Sequence, residues 1–180
     1  DDLKLRGSYG KIGNDGIGNN RFITILSSSS DYNSQVASNL SIGNPNIKWE
    51  DSFPLDIGLD FSLFDNRVSG SFDWYKRVGE DLLMSAPISG LNGTYTLTSN
   101  VASTENKGFE ITLNTRNIES NTSGFSWDTN FTFSKNTNKV TKLINNNAPQ
   151  EGSTSIRKVG EDFYTFYLPV YAGVDPLNGD

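Results

Sequence analysis

Cysteine and histidine are both absent from the 180-residue chain, and methionine occurs once. Without cysteine the chain can form neither a disulfide framework nor a thiolate site. Without histidine it lacks the most common general base and the most common metal ligand. We therefore expect no catalytic residue, no metal site and no cofactor-binding residue in this chain, and we do not expect an enzyme.

Long apolar runs are also absent, so the sequence predicts no transmembrane helix, which needs about 18 consecutive apolar residues. Transmembrane barrel strands give a much weaker signal per segment and stay compatible with the sequence. The formal net charge is −6, with 15 basic and 21 acidic residues. Basic residues form no cluster along the chain, so no nucleic-acid partner is predicted.

What the chain has is a composition typical of strands and turns: 12% aromatic residues, 17 glycines and many Asn, Ser and Thr residues. Apolar alternation with a period of two predicts six strands. These are residues 3–9, 53–64, 67–78, 107–116, 125–135 and 163–174. The chain opens in a strand-like segment and closes in turn-type residues, so we expect a piece of a longer polypeptide.

The connections between these strands alternate strictly between short and long. The short connections are residues 65–66 and 117–124. The long connections are polar and rich in Gly, Asn and Ser, and they are residues 10–52, 79–106 and 136–162. Such alternation predicts one all-β region of antiparallel up-and-down strands, with the long loops at one end of the sheet. Outer-membrane barrels show this asymmetry. A soluble sandwich with loops of mixed length is the alternative.

The first hairpin can be assigned a register. Asp65 and Asn66 tolerate positive φ and suit a two-residue type I′ turn, which pairs residues whose numbers sum to 131. One face then carries six apolar residues of the first strand and, opposite them, Phe72 and Trp74, with Lys76 as the one charge. The other face carries polar residues. The apolar set is Leu55, Ile57, Leu59, Phe61, Leu63, Phe72 and Trp74, headed by Phe53, and the polar set is Asp56, Asp60, Asp73 and Tyr75.

The apolar stripe from Phe53 to Leu63 covers a distance that fits a membrane. Tilted by about 40°, eleven residues at about 3.4 Å each span roughly 27 Å, close to the apolar band of a barrel. We interpret the apolar set as lipid-facing and the polar set as lumen-facing. A sandwich core also alternates, and stays open as the alternative. Asp56 and Asp60, roughly 13 Å apart along the strand, are too far apart for a glycosidase pair.

Segments in a fixed order along nearly the whole chain resemble the C-terminal barrel region of the SusC/RagA family of TonB-dependent outer-membrane transporters of Bacteroidetes. They are LKLRGSYGKIGN (3–14), NPNIKWE (44–50), IGLDFSLFDNRVSGSFDWYKR (57–77), DLLMSAPIS (81–89), NVASTENKGFEITLNT (100–115), WDTNFTFSKNTNKV (127–140) and YAGVDPLNGD (171–180).

The resemblance implies a segment of a large transmembrane barrel in the cell outer membrane, with the plug, any N-terminal extension and the last strands outside residues 1–180. It implies a SusD-like surface lipoprotein as lid, TonB as energy source, and import of oligosaccharides or peptides. Aromatics of the long loops, Tyr32, Trp49 and Tyr95, are then candidates for the mouth, where they would meet sugar rings or the lid. The rival function is a secreted, water-soluble β-sandwich that binds glycans.

Overall fold

Alternating apolar and polar residues build one large antiparallel sheet. A computed structural model of the chain describes residues 1–30, 36–90, 93–119, 124–171 and 173–174. Its strands are β1 (Asp2–Tyr9), β2 (Ile12–Asn14), β5 (Glu50–Leu63), β6 (Val68–Gly90), β7 (Gly93–Glu119) and β8 (Ser126–Lys142). They pair in the order β1-β5-β6-β7-β8, and β2 pairs with β5 beside β1.

The β5–β6 hairpin has the predicted register. Leu63 pairs with Val68, Leu59 with Phe72, and the pairing continues to Asp51 with Glu80, always with a sum of 131. Asp65 and Asn66 have φ values of 53° and 65°, as the turn chemistry requires. Phe64 also has a positive φ, 58°, which the sequence did not predict.

The predicted long loop over residues 79–106 is wrong, because β6 and β7 continue through it as a projecting hairpin. Leu83 pairs with Asn100 and Ile88 with Tyr95, beyond a bulge between Gly79 and Leu82. Leu82, Met84, Ala86 and Ile88 do alternate with other residues in this stretch. Gly79, Glu80 and Asp81 interrupt the alternation between Val78 and Leu82, so the continuation of the strand looks like a separate polar connection. This hairpin extends the sheet at the end where the long connections lie.

The first long connection also contains strands. β3 (Ile25–Ser30) and β4 (Val36–Ser41) form a separate two-stranded hairpin between β2 and β5. Because β1 and β2 both pair with β5, residues 2–14 form one line along the sheet edge, interrupted at residues 10 and 11.

The last predicted strand, residues 163–174, is wrong. Within the described residues only β11 (Thr165–Phe166) forms there, in a small sheet with β10 (Ser155–Arg157) and β9 (Gln150–Glu151). Apolar residues are consecutive rather than alternating in this stretch, and Pro169 cannot donate a ladder hydrogen bond. The prediction of six strands in the large sheet gave the right number with one wrong member.

Buried residues are few and lie away from the predicted stripe. Ala102, Val140, Leu143 and Ile144 are the buried apolar residues of the described chain. They gather where β7 and β8 meet α1 (Ile144–Asn147), a single turn in which Asn145 and Asn146 have left-handed backbone angles. No helix of the described residues is long and apolar enough to cross a membrane, a finding that concerns helical spans alone.

Candidate functional site: a two-faced sheet and its mouth segment

The large sheet has one polar face, and the predicted lumen residues share it. Asp60 lies opposite Ser71, and Asp56 lies opposite Tyr75. The neighbouring strands continue the pattern, since Asp73 pairs with Glu110 and Thr112 pairs with Thr132. The polar face is formed by Lys4, Arg6, Asp56, Asp60, Ser71, Asp73, Tyr75, Glu110, Thr112, Asn114, Asn130, Thr132, Ser134 and Asn136.

Arg6 organises the carboxylates of this face, and sequence reasoning missed it. Its Nε and one terminal nitrogen donate to the two oxygens of Asp60 at 2.7 and 2.8 Å. The same terminal nitrogen donates to Asp73 Oδ1 at 2.8 Å, so one guanidinium links three strands. Such a fork is the geometry in which arginine holds carboxylates best. It fixes two of the four predicted lumen residues and lowers the negative charge of the wall.

The Tyr75 side chain lies along the surface of the sheet rather than projecting from it. Its hydroxyl stands 3.2 Å from the side-chain oxygen of Asn136, two strands away. The ring passes over Gly108, where a Cβ would lie 2.6 Å from the hydroxyl oxygen. Beside it is a cavity of about 420 Å³ lined by Asp56, Asp73, Tyr75, Arg77 and Glu110 among others. Carboxylates, a guanidinium and a flat ring can hold polar solutes by hydrogen bonds without a reaction.

The opposite face is apolar and uncovered. Ile57 and Phe72 are 46% and 42% exposed. Phe109 connects the rings of neighbouring strands, with centroids 6.3 Å from Phe72 and 5.7 Å from Phe133. Among the described elements, extensive contacts join only strands that pair, so no second layer covers this face. The apolar face is formed by Leu3, Leu5, Phe53, Leu55, Ile57, Leu59, Phe61, Leu63, Phe72, Trp74, Phe109, Ile111, Leu113, Phe131 and Phe133.

At the long-connection end, residues 44–50 form a mouth segment that is tied to the projecting hairpin. Asn100 accepts a hydrogen bond from the Lys48 backbone N–H at 2.8 Å and donates to the Lys48 and Asp81 backbone oxygens at 2.8 and 2.7 Å. Glu50 accepts from the Leu83 backbone N–H at 2.9 Å. Residues 44–49 of the mouth segment are therefore positioned by side-chain hydrogen bonds, and Glu50 is also the first residue of β5.

An ion pair joins the same two elements. Lys48 Nζ donates to Asp81 Oδ2 at 2.8 Å, and this hydrogen bond raises the pKa of the Lys48 ammonium above its ordinary value. Asp81 occupies the bulge of β6 with a φ of 54°. Because aspartate tolerates left-handed backbone better than most residues, the bulge can present this carboxylate to the mouth segment.

The predicted mouth residues have different outcomes. Trp49 lies in the mouth segment, 60% exposed, with its ring 3.2 Å from where a Cβ of Gly13 would stand. Trp49 lies at the long-connection end of the sheet, and its role at a mouth stays a prediction. Tyr32 lies outside the described residues. Tyr95 pairs through its backbone with Ile88, and its side chain lies outside the described part.

We expect Asn100→Ala to release the mouth segment. The substitution removes three hydrogen bonds worth roughly 1 kcal/mol each, so amide hydrogen exchange of residues 44–50 should accelerate about tenfold or more. Thr98→Ala is the matched control, because Thr98 contributes its backbone oxygen to Asn44 and keeps it after substitution. Equal exchange in both variants would show that Asn100 does not hold the segment.

Within the part of the chain that the structure describes, no group of three carboxylate residues is arranged to hold a metal ion. On the polar face, Asp60 and Asp73 bind Arg6, and Asp56 accepts a hydrogen bond from the Ser8 hydroxyl at 3.2 Å. The site is thus a polar wall and a mouth segment, with an apolar surface behind them.

Comparison with known proteins identifies the architecture. The sequence model of the family described as "TonB dependent receptor-like, beta-barrel" matches residues 1–175. TonB-dependent receptor P3 of Formosa agariphila is 38% identical over 188 residues, covering 95% of this chain and 18% of that protein. TonB-dependent receptor SusC of Bacteroides thetaiotaomicron is 34% identical over 151 residues, covering 79% of this chain and 15% of that protein.

Solved structures agree. The structure of the RagAB peptide transporter superposes with a TM-score of 0.79 at 28% identity, covering 97% of this chain and 19% of that chain. The closed-closed state of the RagAB peptide importer gives 0.81. The chain therefore spans less than a fifth of these relatives.

These findings confirm the resemblance to SusC and RagA. The matched relatives are receptors and transporters by name, not enzymes. The β-sandwich alternative is wrong, because the matched family is a β-barrel. The chain belongs to the TonB-dependent receptor β-barrel family and forms an all-β, antiparallel segment of that barrel.

Proposed function

We propose that this chain is part of the wall of an outer-membrane importer that takes up oligosaccharides or peptides with energy from TonB. The observation that carries the proposal is the two-faced sheet, in which an uncovered apolar face backs a continuous polar face. A water-soluble protein covers an apolar surface of this size with a second layer. A barrel wall leaves it to lipid.

The apolar face matches a bilayer in height. Residues 53–63 of β5 cross it with eleven positions, and barrel strands need about 9–11 residues for the hydrocarbon core. Asp56, Asp60, Asp73 and Tyr75 then line the lumen, and the set Leu55, Ile57, Leu59, Phe61, Leu63, Phe72 and Trp74 contacts lipid. The same two faces support the proposed membrane location.

The substrate class and partners rest on the relatives. RagAB is described as a peptide transporter and importer. The family resemblance adds oligosaccharides and a SusD-like lipoprotein lid. In this chain the exposed indole of Trp49, on a mouth segment held by Asn100, offers a flat surface for a sugar ring or a lid residue. Import requires no covalent chemistry from these residues.

In the proposed mechanism each part of the protein has a separate role. Substrate binds at the mouth between barrel and lid. TonB then displaces a plug that lies outside this chain, and the polar face offers hydrogen bonds along the lumen. Arg6 keeps Asp60 and Asp73 occupied, so the wall presents fewer free carboxylates to a passing solute.

The test uses the full-length protein extracted from outer membranes in mild detergent. We expect a band whose gel mobility shifts on boiling, as a folded barrel unfolds, together with a co-purifying surface lipoprotein. Uptake by whole cells of the sugar or peptide that the partner binds should stop when TonB is deleted.

A protein recovered from the soluble fraction without a heat shift would overturn the membrane assignment. A heat-shifted band that purifies without a lipoprotein would support the barrel assignment and overturn the proposed lipoprotein lid. Uptake that persists without TonB would overturn the energy source. Each part of the proposal therefore has its own readout.

A further inference from the structure

Four lysines from three neighbouring strands gather at one end of the apolar face. Lys76 lies directly opposite Lys107, Lys135 lies opposite Phe109, and Lys139 lies opposite Glu105. Directly opposite residues have Cβ atoms about 5 Å apart, and diagonal ones about 7–8 Å. These residues lie 31 to 63 positions apart from Lys76 in the sequence, so only the sheet register brings them together.

The charge of this lysine cluster is only partly balanced. Glu105 accepts from Lys76 at 2.9 Å and lies 3.6 Å from Lys107. Lys135 and Lys139 are exposed, and no carboxylate of the described residues lies within ion-pair distance of either. Like charges directly opposite each other destabilise a sheet. The four lysines and Glu105 carry a net charge of +3 within a chain of net charge −6, so the cluster is suited to an external anion. The other acids at this end of the face are Asp51, which pairs with Lys11 at 2.9 Å, and Glu80.

The cluster borders apolar surface on the same face. A cavity of about 350 Å³ beside it is lined by Tyr9, Phe53, Leu55 and Val78, with Lys76 and Glu80 at its edge. The other end of the face, at the short turns, carries uncharged residues such as Leu63, Val68 and Thr115. The occupant should therefore combine an anionic group with a hydrocarbon chain and bind at the long-connection end only.

We infer that the lysine cluster binds the phosphate groups of anionic glycolipid in the outer leaflet, with an acyl chain in the adjoining apolar cavity. The inference rests on the proposed membrane location, which puts the long connections outside the cell. Basic residues at a membrane boundary attract anionic headgroups. A free phosphate ion would use the ammonium groups but gain nothing from the apolar cavity.

The experiment compares two triple variants of the full-length protein. The cluster triple carries Lys107→Gln, Lys135→Gln and Lys139→Gln. The control triple carries Lys4→Gln, Arg21→Gln and Lys158→Gln, at three exposed basic residues outside the apolar face. Both proteins are placed in phosphatidylcholine vesicles containing purified lipid A or its dephosphorylated form. Native mass spectrometry after ejection from the vesicle then counts the retained glycolipid, and the boiling shift on a gel independently reports barrel formation.

We expect the cluster variant to retain about tenfold less lipid A, or lower still, while the control triple retains the wild-type amount. Wild type should prefer lipid A to its dephosphorylated form by a similar factor. Equal retention in both triples, or no preference for phosphate, would overturn the inference while the heat shift leaves the proposed function standing. If the cluster triple gives no heat-shifted band, Lys139→Gln alone, at an exposed position, carries the same comparison with a smaller expected loss.

Discussion

Leu59→Arg is expected to destabilise the membrane-inserted barrel and to lower the yield of folded protein. Leu59 lies in the middle of the apolar face, between Leu5 on β1 and Phe72 on β6. An arginine on the lipid face of a barrel near the bilayer midplane costs roughly 2–4 kcal/mol. Refolding of the full-length protein into vesicles, followed by urea titration, should show this loss, with a lower yield of heat-shifted protein.

Two controls separate lipid contact from other causes. Leu59→Phe keeps the position apolar and should fold with wild-type yield. Thr112→Arg places the same charge on the polar face, at a comparable height on β7, and should cost far less because the lumen is wet. If Leu59→Arg and Thr112→Arg behave alike, the apolar face does not contact lipid.

The predicted register of the β5–β6 hairpin is confirmed because its determinants are local. Asp65 and Asn66 fix the turn, and both strands alternate in phase with it, so the face of every residue from Phe53 to Val78 follows. Asp56, Asp60, Asp73 and Tyr75 were placed on one face for this reason. Their lumen role, like the lipid contact of the opposite set, is a proposal that the turn alone does not test.

The sequence alone could not predict how segments far apart in the chain pair with each other. β1 joins β5 across residues 10–49, and nothing local fixes that register. Arg6 was therefore missed although it binds two predicted residues. The lysine cluster was missed for the same reason, since its members are scattered in the sequence and meet only through the pairing of β6, β7 and β8.

The alternation rule fails where its assumption fails. It assumes an uninterrupted run, and Gly79, Glu80 and Asp81 break the run of β6 before the alternation resumes at Leu82, so residues 79–106 look like a loop. Conversely, residues 163–174 are rich in aromatic residues, yet Tyr164 and Phe166 are 76% and 82% exposed, and only two of the described residues there pair in a sheet. High β-propensity without a period of two is a weak predictor of a strand.

Gly108→Ala is expected to destabilise the barrel by roughly 1–3 kcal/mol through overpacking. The new methyl group would contact the backbone oxygen of Lys135 and lie 2.6 Å from the Tyr75 hydroxyl. Tyr75 can rotate away at the cost of its contact with Asn136, but the Lys135 oxygen belongs to the β7–β8 ladder. β8 must therefore shift, and urea titration of the full-length protein in vesicles should show a lower midpoint.

Gly7→Ala is the matched control, because a Cβ there meets only the Asp56 oxygen at 3.9 Å. Gly7→Ala lowers the conformational entropy of the unfolded chain, so it should leave the free energy of unfolding unchanged or raise it by about 0.4–1 kcal/mol. Adding Tyr75→Ala to Gly108→Ala separates the two contacts. Partial recovery would assign the remaining loss to the strand ladder, whereas full recovery would show that the tyrosine alone requires the glycine. If Gly108→Ala matches Gly7→Ala, the close approach of β8 to Gly108 does not limit the stability of the wall.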